Sequence, residues 1–192
     1  MPDRPTQILE AAARLIARRG VRGLRVEEVA TEAGVSTALI YYHFKDRAGL
    51  LRRTLEFISR RAVRYTDPAL DASPDDPRAQ LTELLLLELQ DTPRVRENSA
   101  AWGELRATAV FDPDLREQLA AATREWVDDL AHLVGRAGAA GQAAAGVDAE
   151  AAAERLTALV EGLSERWLSD TLPLDRAHEL LRGAVGLELG RP

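Results

Sequence analysis

The 192-residue chain carries a formal charge of −6, is 46% hydrophobic and 29% charged, and contains no cysteine. Composition of this kind belongs to folded proteins of one or two domains and excludes disordered and fibrous classes; the missing cysteine removes disulfide frameworks, thiolate metal sites and thiol nucleophiles. The start, Met1 to Pro5, leads into polar–apolar alternation with no unbroken apolar run, so neither a leader peptide nor a membrane span is expected, and the expected address is the cytoplasm.

Apolar residues recur at helical spacing along almost the whole chain, and no stretch sustains the period of two that a strand needs, so the expected fold is all-α with about nine helices. Ile8, Ala12, Leu15 and Ile16 mark a first helix, opened by Asp3 and Pro5 and closed by Gly20. A short helix from about Val26 to Ala33 follows, broken by Gly34-Val35-Ser36. Ser36 then starts a third helix reaching about His43, and a fourth runs from Arg47 to about Thr66. The Pro/Asp/Ser-rich stretch from Thr66 to Pro77 reads as a loop. Further helices are expected near 77–90, 94–110, 113–138, 148–170 and 175–189, with proline at most junctions. The Gly/Ala-rich segment from Gly138 to Val147 looks like a mobile connection.

Charge is divided unevenly. Through Tyr65 there are 13 Lys+Arg against 7 Asp+Glu, and beyond it 12 against 24. A basic head suits phosphate neutralisation, while an acidic body is repelled by a duplex. Within that head, two short helices joined at Gly34 form a helix-turn-helix, with Val29, Ala30 and Ala33 inward and Val35 in the angle. The first turn of the second helix, Ser36, Thr37 and Ala38, carries short side chains that let the backbone approach base edges; Ile40 and Phe44 anchor the opposite face. Tyr41, Tyr42, His43 and Lys45 supply donors for phosphate oxygens, and Lys45 is the only lysine in the chain.

Over Ile8 to Leu51 this order and spacing resembles the TetR family of repressors. The resemblance implies a three-helix DNA-binding head within 1–46, a regulatory and dimerising body over 47–192, a homodimer on a palindromic operator, and release by a small molecule. Where family members carry Ser or Thr, this chain has Arg25, which cannot cap a helix with a short hydroxyl but can reach a phosphate as a cation. The C-terminal part more faintly resembles the choline-responsive betaine-pathway subgroup, through Ser99-Ala100-Ala101-Trp102, Asp112-Pro113 and the Leu159 to Leu163 and Pro173 to Asp175 segments. That subgroup has an aromatic residue four positions after Trp102; here Arg106 stands there, and a cation in an aromatic cage speaks against choline.

Trp102, Phe111 and Trp126 are candidates to line a ligand pocket, with core packing as the competing role, and Glu104 and Arg106 supply either an oriented polar contact or a pair with each other at the surface. The stripes Leu156, Leu159, Val160, Leu163, Trp167 and Ala177, Leu180, Leu181, Ala184, Val185, with Gly162 and Gly183 allowing close approach, are candidates for a four-helix dimer interface. His132 and His178 stand singly and read as structural. No cofactor and no metal site are expected. Two alternatives stay open: a helix-turn-helix scaffold or regulator without an inducer, and, remotely, an enzyme using Asp128-Asp129 or Glu161 with Glu165.

Overall fold

A computed structural model describes residues 3–66 and 75–190; the expected loop between Thr66 and Pro77 falls mostly outside them. Among the described residues the secondary structure is helical throughout. The helices are α1 (Arg4–Arg19), α2 (Val26–Ala33), α3 (Thr37–Phe44), α4 (Arg47–Thr66), α5 (Pro77–Leu87), α6 (Pro93–Ala109), α7 (Pro113–Ala139), α8 (Ala149–Leu168) and α9 (Leu174–Leu189).

Local chemistry sets the helix ends. Asp3 accepts from Thr6 N at 2.9 Å and Pro5 occupies the first turn of α1, while Gly20 ends it at φ +73°. Asp76, Asp148 and Ser36 cap α5, α8 and α3 through Ala79 N, Ala151 N and Leu39 N. Arg25, at the N-cap of α2, makes no side-chain capping bond. At the other end Gly34 is left-handed at φ +65°, its N–H reaching Thr31 O at 3.2 Å and that of Val35 reaching Ala30 O at 2.9 Å. These two bonds satisfy carbonyls that the last turn would otherwise leave open.

The chain forms two compact units, cut differently from the segments 1–46 and 47–192. The first holds the described residues up to Arg61 together with Glu97–Ala122; the second holds those of 62–96 together with Thr123 onward. Ile8, Ile16, Ile40, Leu50, Leu55, Ile58, Leu105 and Leu115 are buried in the first core, and Arg61 ties α4 to α6 there. Its guanidinium donates to Asn98 Oδ1 at 2.7 Å and Glu97 Oε1 at 2.8 Å and lies 5.5 Å from the Phe57 ring centre. The second core is built on Leu81, Leu85, Leu130, Leu156, Leu163, Trp167, Leu181 and Leu189.

The Gly/Ala-rich connection is more anchored than its composition suggests. Arg78 Nη1 donates to Gln142 O and Gly190 O at 2.8 and 3.0 Å, Gln142 Oε1 accepts from Arg78 N, and Ala144 N donates to Leu189 O at 2.7 Å. One arginine thus holds two chain segments that glycine and alanine alone leave loose.

Candidate nucleic-acid interface

Helix α3 is short and two-faced. Ile40 and Phe44 are 1% and 6% exposed and fasten it to the first core, with Val35 packed beside them in the turn. The remaining faces are left to solvent: Ser36, Ala38, His43 and Lys45 are exposed, Thr37 is half-buried, and Tyr41 and Tyr42 are 46% and 81% exposed. Burial of a phenol ring is favourable by about a kcal/mol or more, so Tyr41 and Tyr42 leave in solvent apolar surface that the chain itself does not cover. Tyr42 and His43 pack edge to face, 5.1 Å between ring centres.

The exit from α3 is unusual. Lys45 has φ +66° and ψ −56°, and Asp46 N donates to Phe44 O at 2.8 Å across it. This is the classic γ-turn, a rare and strained conformation. It swings Asp46 Oδ1 onto Gly49 N at 2.6 Å, opening α4, and brings Phe44 O so close to Gly49 that a Cβ there would lie 2.1 Å from it. The single lysine therefore projects from a fixed corner.

Ion pairs absorb part of the head's charge. Arg14 meets Glu32 at 2.9 Å and Arg19 meets Glu28 at 3.0 Å; Arg14 beside it holds the Glu32 carboxyl below the usual carboxylate range. Among the described residues Arg22, Arg25 and Lys45 make no ion pair, and all three are exposed around the helix-turn-helix. Two groups that hold this head together are missed by sequence reasoning. Arg47 donates to Leu24 O at 3.2 Å and also to Val21 O, and Glu104 accepts from Val21 N at 3.1 Å. The separation of 83 residues in the second case leaves no local signal.

The other candidates are spread over both units. In the first, Trp102 packs half-buried against the core with the Arg106 guanidinium 5.9 Å from its ring centre, while Phe111 is 79% exposed. In the second, Trp126 is half-buried with its Nε1 buried and without a hydrogen-bond partner. An open groove of about 370 Å³ in the second unit is lined by Asp76, Arg78, Thr82, Glu83, Leu86 and Arg182 among others, and by none of these four.

The dimer candidates divide. Leu163, Trp167 and Leu181 are 3%, 5% and 1% exposed: they belong to the chain's own core, and Arg96 stacks 4.8 Å from the Trp167 ring centre. Placing them on an interface is corrected accordingly, because the inward half of each stripe is consumed by packing of α8 on α9 and their neighbours. Gly162 is exposed and Leu159, Leu180 and Ala184 are half-buried, with Gly183 and Leu187 exposed alongside. His178 donates from Nε2 to Leu89 O at 2.7 Å, a structural contact, and His132 is exposed. Among the described residues no cluster of His, Cys, Asp or Glu could hold a metal ion, and no helix is long and apolar enough to cross a membrane.

Comparison with known proteins agrees with this geometry. Residues 8–54 match the bacterial regulatory proteins of the tetR family, and residues 77–190 match the BetI-type transcriptional repressor C-terminal domain. The HTH-type transcriptional regulator BetI of Burkholderia mallei is 29% identical over 179 residues, covering 90% of this chain and 85% of its own. A Rhodococcus sp. crystal structure described as a TetR-family transcriptional regulator is 46% identical, with 99% and 100% of the two chains covered and a TM-score of 0.91. A regulator from Saccharomonospora viridis, solved in complex with choline, is 28% identical, with 93% of each chain covered and a TM-score of 0.78. The chain belongs to the TetR family of transcriptional regulators, with a BetI-type C-terminal domain.

Proposed function

We propose that the chain is a ligand-responsive repressor that binds a palindromic operator as a homodimer, with 1–46 as reading head and 47–192 as regulatory and dimerising body, working in the cytoplasm without cofactor or catalysis. The observation that carries the reading is α3 itself. Its apolar side is buried, and its outer side collects Ser36, Thr37 and Ala38 for close approach to base edges and Tyr41, Tyr42, His43 and Lys45 for phosphates, with Arg25 nearby in the chain as a further cation. Two-fold symmetry then presents a pair of such helices to successive major grooves about 34–36 Å apart or somewhat more.

The outer faces of α8 and α9 support the homodimer. A Cβ on Gly162 or Gly183 would meet nothing within 4 Å of this chain, so the monomer has no steric need of glycine there. Glycine in a helix interior costs roughly 1 kcal/mol relative to alanine, and close approach by a second copy, with Leu159, Leu180 and Ala184 as the apolar margin, accounts for that cost.

The inducer is a small molecule bound in the body, and its binding shifts the population toward heads that no longer match the operator. Trp102, Arg106 and Phe111 in the first unit and, separately, Trp126 in the second remain our candidates for its contacts. The choline-bound relative suggests a cationic ligand, but Arg106 over the Trp102 face occupies the electron-rich surface that a quaternary ammonium needs. Choline is therefore not our reading. Selection from random duplexes with the full chain tests the DNA assignment: an enriched inverted repeat is expected, and enrichment of none overturns it. A thermal-shift screen tests the ligand: no stabilisation by any compound, with operator binding intact, favours a regulator without inducer.

A further inference from the structure

We propose that Glu104 is a positioning residue for operator binding, acting on the backbone of the loop that joins α1 to α2. The inference rests on reading α3 as the DNA-contacting helix.

The loop from Gly20 to Arg25 decides where α2 begins, and α2 in turn carries α3 through the Gly34-Val35 turn. At Gly20 the chain leaves α1 with φ +73°, which turns the N–H of Val21 away from the helical acceptors. Glu104 Oε2, from the middle of α6, accepts that N–H at 3.1 Å. The dihedral at Gly20 suits glycine, and a Cβ there would lie 2.7 Å from the same oxygen and displace the flexible carboxylate. The carbonyl of Val21 is held from α4, by the guanidinium of Arg47, which also donates to Leu24 O at 3.2 Å. Both polar groups of one peptide residue are thus fixed by side chains of two different helices, while Val21 and Leu24 are 2% and 4% exposed beneath them.

The choice of partner is informative. The neighbouring acids of this basic head pair with arginines, Glu32 with Arg14 and Glu28 with Arg19. Among the described residues Glu104 makes no ion pair, and its exposed side chain accepts from a backbone amide instead. An ion pair between long side chains tolerates sliding, whereas a carboxylate on a main-chain N–H fixes the chain itself. Trp102 and Arg106 lie within two residues of Glu104 on the same helix, so a displacement of α6 there has a hydrogen-bonded route to the start of α2.

The test compares full-length wild type, Glu104→Ala and Glu104→Gln on a duplex obtained by selection, over a range of salt. Glutamine keeps an acceptor oxygen and, like alanine, removes the charge. Glu104→Ala is expected to weaken binding by about 5- to 10-fold, the loss of one ordinary hydrogen bond, with the slope of log K against log salt unchanged because no phosphate contact is lost. Glu104→Gln should stay within about twofold, on the same hydrogen-bond argument. Amide exchange of Val21, read by NMR without DNA, should accelerate in the alanine variant and not in the glutamine one. If the alanine variant does not fold, Glu104→Asp, which withdraws the carboxylate by one methylene, should reproduce the loss. Equal affinities for the alanine and glutamine variants, or faster Val21 exchange with unchanged affinity, overturn the inference. Wild type that selects no inverted repeat instead overturns the DNA reading, and the two failures are told apart by the wild-type arm alone.

Discussion

Lys45 combines two properties that pull against each other. Its side chain is the one lysine and sits where a phosphate contact is proposed, yet its backbone, at φ +66° and ψ −56°, occupies a region that a glycine enters at much lower cost. Such residues cost on the order of 1–3 kcal/mol and persist where the surroundings impose them; here the imposition comes from the tight corner between Phe44 O and Gly49. Lys45→Gly should raise the melting temperature by a few degrees while lowering operator affinity, and Lys45→Ala should lower affinity without the thermal gain. Each should reduce the salt slope by about 1 per protomer, the signature of one lost phosphate contact. Equal melting temperatures for the two variants would remove the strain argument; an unchanged salt slope would remove the phosphate one. Tyr42→Phe deletes only a hydroxyl and should weaken binding a few-fold with the slope intact, measured by the same titration.

Helix ends were legible residue by residue because their causes are local. Asp3 with Pro5, and Gly34 with Val35 and Ser36, each act within a few positions of themselves, and the structure uses all of them. What the chain order hides is which of two apolar edges on one helix turns inward. Leu159 and Leu163 lie on the same stripe of α8, but only Leu163 enters the core, since the choice depends on α9 and on helices distant in sequence. The Glu104 to Val21 bond and the Arg78 anchor of the 140s connection were hidden for the same reason. The split of α8 and α9 into inner and outer edges yields its own prediction. Gly183→Arg or Gly162→Arg should leave helicity unchanged, because neither Cβ meets anything in the chain, but should convert the sedimenting species from dimer to monomer. A dimer that survives both substitutions would place the interface elsewhere. A monomeric product should also lose high-affinity operator binding, since each protomer supplies only one half-site helix.

At the scale of the whole molecule, charge is what separates function from folding. The net −6 conceals a basic head, and the acidic excess beyond it would be repelled by a duplex. One of those acids has a separate consequence for stability. The carboxyl of Glu88 accepts from Tyr65 Oη at 3.1 Å, and burial pushes its pKa up from 4.5 to about 7, the tyrosine hydroxyl offsetting only part of that rise. A carboxyl that holds its proton more tightly folded than unfolded is stabilising to the acid side. Below about 4.5 both states are protonated and Glu88 imposes no penalty; as pH climbs toward 7 the unfolded chain gains by ionising first; above 7 the penalty is complete and flat. The difference in pKa corresponds to on the order of 3 kcal/mol. Glu88→Gln keeps an acceptor for Tyr65 and has no charge to bury, so the variant should be close to wild type near pH 4.5 and more stable by a margin that grows to a plateau near pH 8. Chemical unfolding of both proteins at several pH values reads that margin directly. A margin that is constant across the range, or that shrinks with rising pH, would show that Glu88 ionises in the folded protein as readily as in water.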